Sequence, residues 1–105
     1  MRFCPWYPLA DAAARAPEGE GVLQLRVVAG LVDYPRGKSA MVRYVHAEDA
    51  RAAAAVLAGA AGGAALMCRH LEAEDGARPA AVYAQVHGEF VRRFGAVPRD
   101  EAVAP

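Results

Sequence analysis

The sequence predicts one α+β domain in which a small, mainly antiparallel sheet of three to four strands carries two to three helices on one face. Three observations lead there. Residues 22–28 and 41–46 alternate in side-chain character with the period of two that marks a half-buried strand. The alanine-rich run 48–61 and the four-residue spacing of Val82, Val86, Phe90 and Phe94 belong to helices. A chain of 105 residues supplies one core, since two would each bury too little apolar surface to offset the entropy lost on folding.

Residues 1–20 read as an N-terminal segment. It opens with FCPWYPL, where Pro5 and Pro8 disfavour regular structure. A short helix follows over Leu9 to Ala16, with Asp11 near its start, and PEGEG ends it. The core then runs from 21 to 98. In its first strand Leu23, Leu25 and Val27 point one way, and Gln24 and Arg26 the other. LVDY, residues 31–34, is a short second strand, and Pro35 with Gly37 marks a turn or loop. Between Met41 and His46, Val42, Tyr44 and His46 share one face and Met41, Arg43 and Val45 the other; the start of a helix is the alternative here. Glu48 and Asp49 fall in the first turn of the alanine-rich helix, favouring its dipole, and Gly62 and Gly63 end it. ALMCRHLE, residues 65–72, reads as a strand before the acidic loop EAEDG. The last helix, AAVYAQVHGEFVRRFG, is capped by Gly95 with Pro98 beyond. Residues 99–105 form a loose tail.

Twelve basic and twelve acidic residues cancel, so a nucleic-acid role requires a local patch rather than a whole-molecule field. The heavy use of Ala and Arg, with Lys38 the only lysine, is what a GC-rich coding sequence produces. No run of about 18 apolar residues is present to span a bilayer, and MRFCPWYPLADAA lacks the regions of a signal peptide, so a cytoplasmic protein with no membrane partner is expected. Cys4 and Cys68 are then reduced thiols.

Gly37-Lys38-Ser39 raises the question of a phosphate loop. Such a loop needs a further glycine five residues before Gly37 and a helix immediately after Ser39. Val32 occupies the first position, and the residues after Ser39 read as extended. A solvated turn in which Gly37 permits an unusual backbone angle is the plainer reading.

APEGEGVLQLR followed by DYPRGKS resembles a divergent form of the hairpin of the GIY-YIG nuclease superfamily, over about Pro17 to Pro98. Gly21-Val22-Leu23 would stand for its first element and Tyr34 through Gly37, with one extra residue, for the second. The resemblance implies that Glu89, on the last helix, is the family's metal-holding glutamate. Leu23, however, stands where the family has its first tyrosine and Val45 where it has an arginine, with Arg43 off register on a predicted strand. The asparagine of the family's last motif is absent after Pro98. A phosphodiesterase that lacks these groups loses most of the stabilisation of its transition state. The resemblance therefore implies the fold without the activity.

Other groupings carry two readings each. Glu89 lies four residues before Arg93, the spacing of an exposed helical ion pair. Cys68, His70 and Glu72 share a face of their strand and are zinc-competent, but a fourth ligand is missing; a buried Cys68 beside a surface His70 is the alternative. His46 and His87 have no partner by spacing. Arg26, Arg36, Lys38 and Arg43, with Ser39 in the loop and Tyr34 and Tyr44 between them, form either a nucleic-acid footprint or a charged edge that discourages aggregation. Trp6 and Tyr7 are either a lid on the core or an exposed docking site.

The function expected is a catalytically impaired GIY-YIG-like module that binds nucleic acid through Tyr34 to Ser39, Arg26 and Arg43. A non-enzymatic protein-interaction domain is the alternative. A residual nuclease comes third, with Tyr34, Arg43 and Glu89 as catalytic positions and Mg2+ or Mn2+ on Glu89; no other cofactor is implied.

Overall fold

The computed structural model describes residues 1–60, 65–72, 76 and 78–99. Strands β1 (Tyr7–Pro8), β2 (Gly21–Val27), β5 (Met41–Ala47) and β6 (Leu66–His70) form an antiparallel sheet in the order β1, β6, β2, β5. Between β2 and β5 the chain makes a separate hairpin of β3 (Val32–Tyr34) and β4 (Gly37–Ser39). A 3-10 turn at Leu9–Asp11 runs into α1 (Ala12–Arg15), followed later by α2 (Ala50–Ala60) and α3 (Pro79–Phe94). The architecture is the expected α+β globule.

The helices do not share one face of the sheet. Leu23 and Leu25 are buried with Ala12, Ala16, Ala54 and Leu57 on the side of α1 and α2. Val22, one residue along β2 and so facing the other way, is buried with Leu71 and Val82 of α3. The alternation in β2 is real, but its second face is covered as well. Gln24 is 3% exposed, and its Oε1 accepts a 2.6 Å hydrogen bond from Arg69 Nε. A polar face tolerates a helix on top when its polar groups are paired.

A bulge corrects the reading of β5. Leu25 pairs with Arg43 and Arg26 with Met41, which leaves Val42 without a counterpart. Val42 drops into the core beside Leu23, with Val45 packed against it. Tyr44 and His46 turn the other way, against the His87, Phe90 and Tyr83 rings of α3. The extra residue breaks the strict period, so Val42 does not share their face.

The N-terminal segment is more regular than its prolines suggest. Tyr7 and Pro8 pair with Cys68 and Met67. Pro8 is compatible with a strand because β1 is an edge, where a missing N–H costs no ladder bond. The expected helix over Leu9 to Ala16 begins as the 3-10 turn and ends at Arg15. Ala12, Ala16, Ala50 and Ala54 have no exposed surface, so alanine is what lets α1 and α2 approach.

At α2, Asp49 lies ahead of the first turn rather than in it, and its Oδ1 accepts the Ala52 N–H at 3.2 Å as an N-cap does. The end expected at Gly62 and Gly63 lies outside the described residues, as do much of the acidic loop and the tail after Arg99. Helix α3 starts at Pro79 and ends at Gly95, whose φ of +77° and N–H bond to the Val91 carbonyl make the predicted left-handed cap. Among the described residues no helix is long and apolar enough to cross a membrane.

Candidate functional site

Charge is distributed along the strand axis. Because β2 and β5 are antiparallel, the end of β2 and the start of β5 meet at one edge of the molecule, where the β3/β4 hairpin leans on the last turns of α3. The Tyr34 ring packs edge-on to Phe90 at 4.9 Å, and the Arg36 N–H bonds the Phe94 carbonyl. Arg26, Arg36, Lys38, Arg43, Arg92 and Arg93 gather toward this end, with Asp33 and Glu89 as described acids. At the opposite end, where Gly21 pairs with Ala47, lie Glu18, Glu20, Glu48 and Asp49, with Arg51 and His46 engaged by Glu18 and Glu20. The hairpin end therefore holds more bases than described acids, a local basic patch on a chain of zero formal charge, while the far end is mixed, since Arg2 and Arg51 lie there with the carboxylates.

The predicted loop residues have local duties. Gly37, Lys38 and Ser39 are a strand, not a turn; Pro35 and Arg36 make the turn, and β5 rather than a helix follows. No helix N-terminus therefore faces Lys38, whose Nζ lies 3.3 Å from Asp33 across the hairpin. Ser39 Oγ accepts the Met41 N–H. Arg36 Nη1 donates to the Arg92 carbonyl at 2.8 Å, a cation at a helix C-terminus. Tyr34 is 6% exposed; its hydroxyl donates to the Met41 carbonyl at 2.6 Å and accepts the Arg99 N–H at 3.1 Å. Both duties of that hydroxyl are structural. Arg43 lines a groove of about 320 Å³ with Tyr44, His87, Val97 and Pro98.

Glu89 does not pair with Arg93. Its Oε1 accepts from Gln85 Nε2 at 3.3 Å, while Arg93 lies over the Phe94 ring. Glu89 borders a second groove of about 250 Å³, which also includes Gln24, Tyr44 and Phe90. Burial pushes the Tyr44 hydroxyl up to about 12 against the pull of Arg69, so it is a donor at neutral pH. Among the described residues no group of three or more His, Cys, Asp or Glu side chains is placed to hold a metal ion. Glu72 is bound instead to Arg2, at 2.7 Å from Nε.

Arg26 does not join the hairpin loop. Its guanidinium lies over Trp6, 4.4 Å from the ring centroid, and that of Arg69 lies over the same ring at the same distance. Arg69 is also 5.0 Å from the Phe3 ring. Trp6 faces opposite to Tyr7 on β1, and so lies on the α3 side of the sheet over β6 and β2. It is half-buried as a lid, but a lid made of arginine and aromatic rings. Sequence reasoning did not find this ladder, because Trp6, Arg26 and Arg69 come from three distant segments.

The other unforeseen cluster lies on the opposite face. His70 is not a surface residue beside Cys68: its Nδ1 is 2.9 Å from the Tyr7 hydroxyl and 3.4 Å from Cys4 Sγ, and its N–H points at the same sulfur. Cys68 has no exposed surface and reaches the Tyr7 hydroxyl at 3.8 Å. Burial pushes the Cys68 thiol up to about 11, although its bond to Tyr7 pulls the other way, so this sulfur is inert packing rather than a nucleophile. His46 and His87 also have partners: Glu20 at 2.6 Å, and the stacked Tyr83 ring at 5.4 Å.

Comparison with known protein families, with characterised proteins and with solved structures finds no match to this chain.

Proposed function

We propose that this protein is a non-catalytic module that binds nucleic acid through its basic end, by contacts to the phosphate backbone from Lys38 and Arg43 with Arg36 and Ser39 adjoining and Arg26 set apart over Trp6. The supporting observation is a local basic patch on a neutral chain, with Arg43 and Arg93 lining the Tyr44 grooves. A phosphate backbone is attracted to such a patch. The two segments that resemble the GIY-YIG hairpin do not pair with each other, because β2 pairs with β5 and β6 and Tyr34 pairs with Gly37 in a separate hairpin, so this reading rests on the basic patch and not on that resemblance. Tyr34 serves packing, and Glu89 has a glutamine for its neighbour rather than further metal ligands. A metal-dependent nuclease using Mg2+ or Mn2+ is the reading this arrangement favours least, because the tyrosine hydroxyl it needs is already occupied at both its donor and acceptor sites.

Fluorescence anisotropy with labelled single-stranded, duplex and branched DNA and RNA, at low and physiological salt, tests the proposal. Affinity should fall steeply with salt, and Lys38→Ala with Arg43→Ala should weaken binding and flatten that dependence. Absence of binding at low salt refutes it and leaves a protein-interaction domain. Magnesium-dependent cleavage abolished by Glu89→Ala would instead restore the nuclease reading.

A further inference from the structure

Trp6 carries two guanidiniums, each with its central carbon 4.4 Å from the ring centroid, so the two charged groups are no more than twice that distance apart. One arginine is enough to cover an indole. A second adds like-charge repulsion, which shows on Arg69: burial first, and then the Arg26 charge, lower its pKa. Three other cations are compensated by carboxylates, Arg2 by Glu72, Arg51 by Glu18 and Lys38 by Asp33, and Arg36 is compensated by a helix C-terminal carbonyl. Among the described residues neither Arg26 nor Arg69 has a carboxylate partner. Each guanidinium offers five N–H donors. Between them, one donor has a protein acceptor, Arg69 Nε on Gln24, while Arg26 Nε is buried with none.

We propose that the two guanidiniums over Trp6 form an anion site that takes a phosphate group, as a monoester or a diester. Rigid arginine forks match the oxygens of a tetrahedral phosphate, and the stacking on Trp6 holds both in advance, so little side-chain entropy is lost on binding. Gln24, which accepts from Arg69, lines a groove with Tyr44 and Glu89, and burial keeps the Tyr44 hydroxyl protonated as a neutral donor there. The nucleic-acid form of this ligand rests on the function proposed above; the phosphate form stands without it.

Trp6 is the only tryptophan, so its emission reports on this site alone. Inorganic phosphate titrated into the full chain at constant ionic strength, with chloride as the balancing salt, should give a saturable change in that emission. Arg26→Gln should raise the midpoint at least about tenfold, and Arg26→Lys, which keeps the charge but not the fork, should also raise it. A wild-type emission that follows chloride and phosphate alike overturns the proposal, as does an unchanged midpoint in both variants. Folding of the variants is checked by their thermal midpoints; if Arg26→Gln fails to fold, Arg26→Lys decides. Oligonucleotides with and without a 5′-phosphate identify the source. A response only to the phosphorylated strand supports a monoester, an equal response supports the backbone, and a response to inorganic phosphate alone supports a free phosphate and separates this site from the nucleic-acid reading.

Discussion

Replacing Tyr34 by Phe removes one oxygen from a site where two segments converge. The ring would keep its contacts with Phe90 at 4.9 Å and Phe94 at 5.7 Å, so no cavity opens. Two hydrogen bonds are lost, the donation to the Met41 carbonyl at 2.6 Å and the acceptance from the Arg99 N–H at 3.1 Å. Such bonds contribute about 0.5–1.5 kcal/mol each, and a backbone carbonyl left partly buried without a donor lies toward the upper part of that range. A loss of about 1.5–3 kcal/mol follows for the pair. In a domain of this size each kcal/mol moves the thermal midpoint by about 4–8 °C. Urea unfolding should show a lower midpoint with an unchanged slope, because the surface exposed on unfolding is the same. Nucleic-acid affinity at a temperature where both proteins are folded should not change. A variant as stable as the parent that has lost binding or cleavage would refute the structural role of this hydroxyl and return Tyr34 to the catalytic position implied by the family resemblance.

A Cβ added at Gly21 would lie 3.0 Å from the Ala50 Cβ, so Gly21→Ala should destabilise by about 1–3 kcal/mol in a denaturant titration, and an unaltered midpoint would contradict the close approach of β2 to α2. Cys68 should resist alkylation in the native protein: a rise from the usual 9.0 to about 11 lowers the thiolate fraction roughly a hundredfold before burial is counted, and peptide mapping after a timed iodoacetamide pulse should find it labelled only once the chain is unfolded. Burial pushes the His70 pKa below its ordinary value, with Glu72 opposing and Arg15 assisting. The unfolded chain therefore takes up the proton more readily. Stability is whole above about pH 6.5 and falls as the pH drops through that value toward the folded pKa. Urea midpoints of the parent and His70→Gln should converge on acidification, and parallel profiles would show that His70 does not carry the effect.

The segments that were legible are those in which one period dominates. Val82, Val86, Phe90 and Phe94 gave α3 its face, and Leu23 with Leu25 gave β2 its core side. What escaped was set by long-range contact. Pro8 is admitted to a strand only because β6 leaves it an edge, which no local propensity encodes. Val42 left its expected face because a bulge depends on two strands together. Gln24 looked solvated until Arg69, 45 residues away, supplied its partner. The candidate site divided in the same way. The proximity of Lys38, Ser39 and Arg43 follows from their closeness in sequence, whereas the Trp6 ladder and the Cys4, Tyr7 and His70 contacts join distant segments that only β1 and β6 bring together.

The strand order has a kinetic consequence. β6 lies between β1 and β2, so β1 has no strand to pair with until residues 66–70 are in place beside β2. Hydrogen bonds that close long loops form slowly. The pairing of β1 with β6 closes a longer loop than either pairing of β2, so contact order makes β1 a late strand to dock. Docking of β1 is the step at which the two sides of the sheet are completed together, the sulfur and imidazole cluster on one side and the arginine ladder on the other.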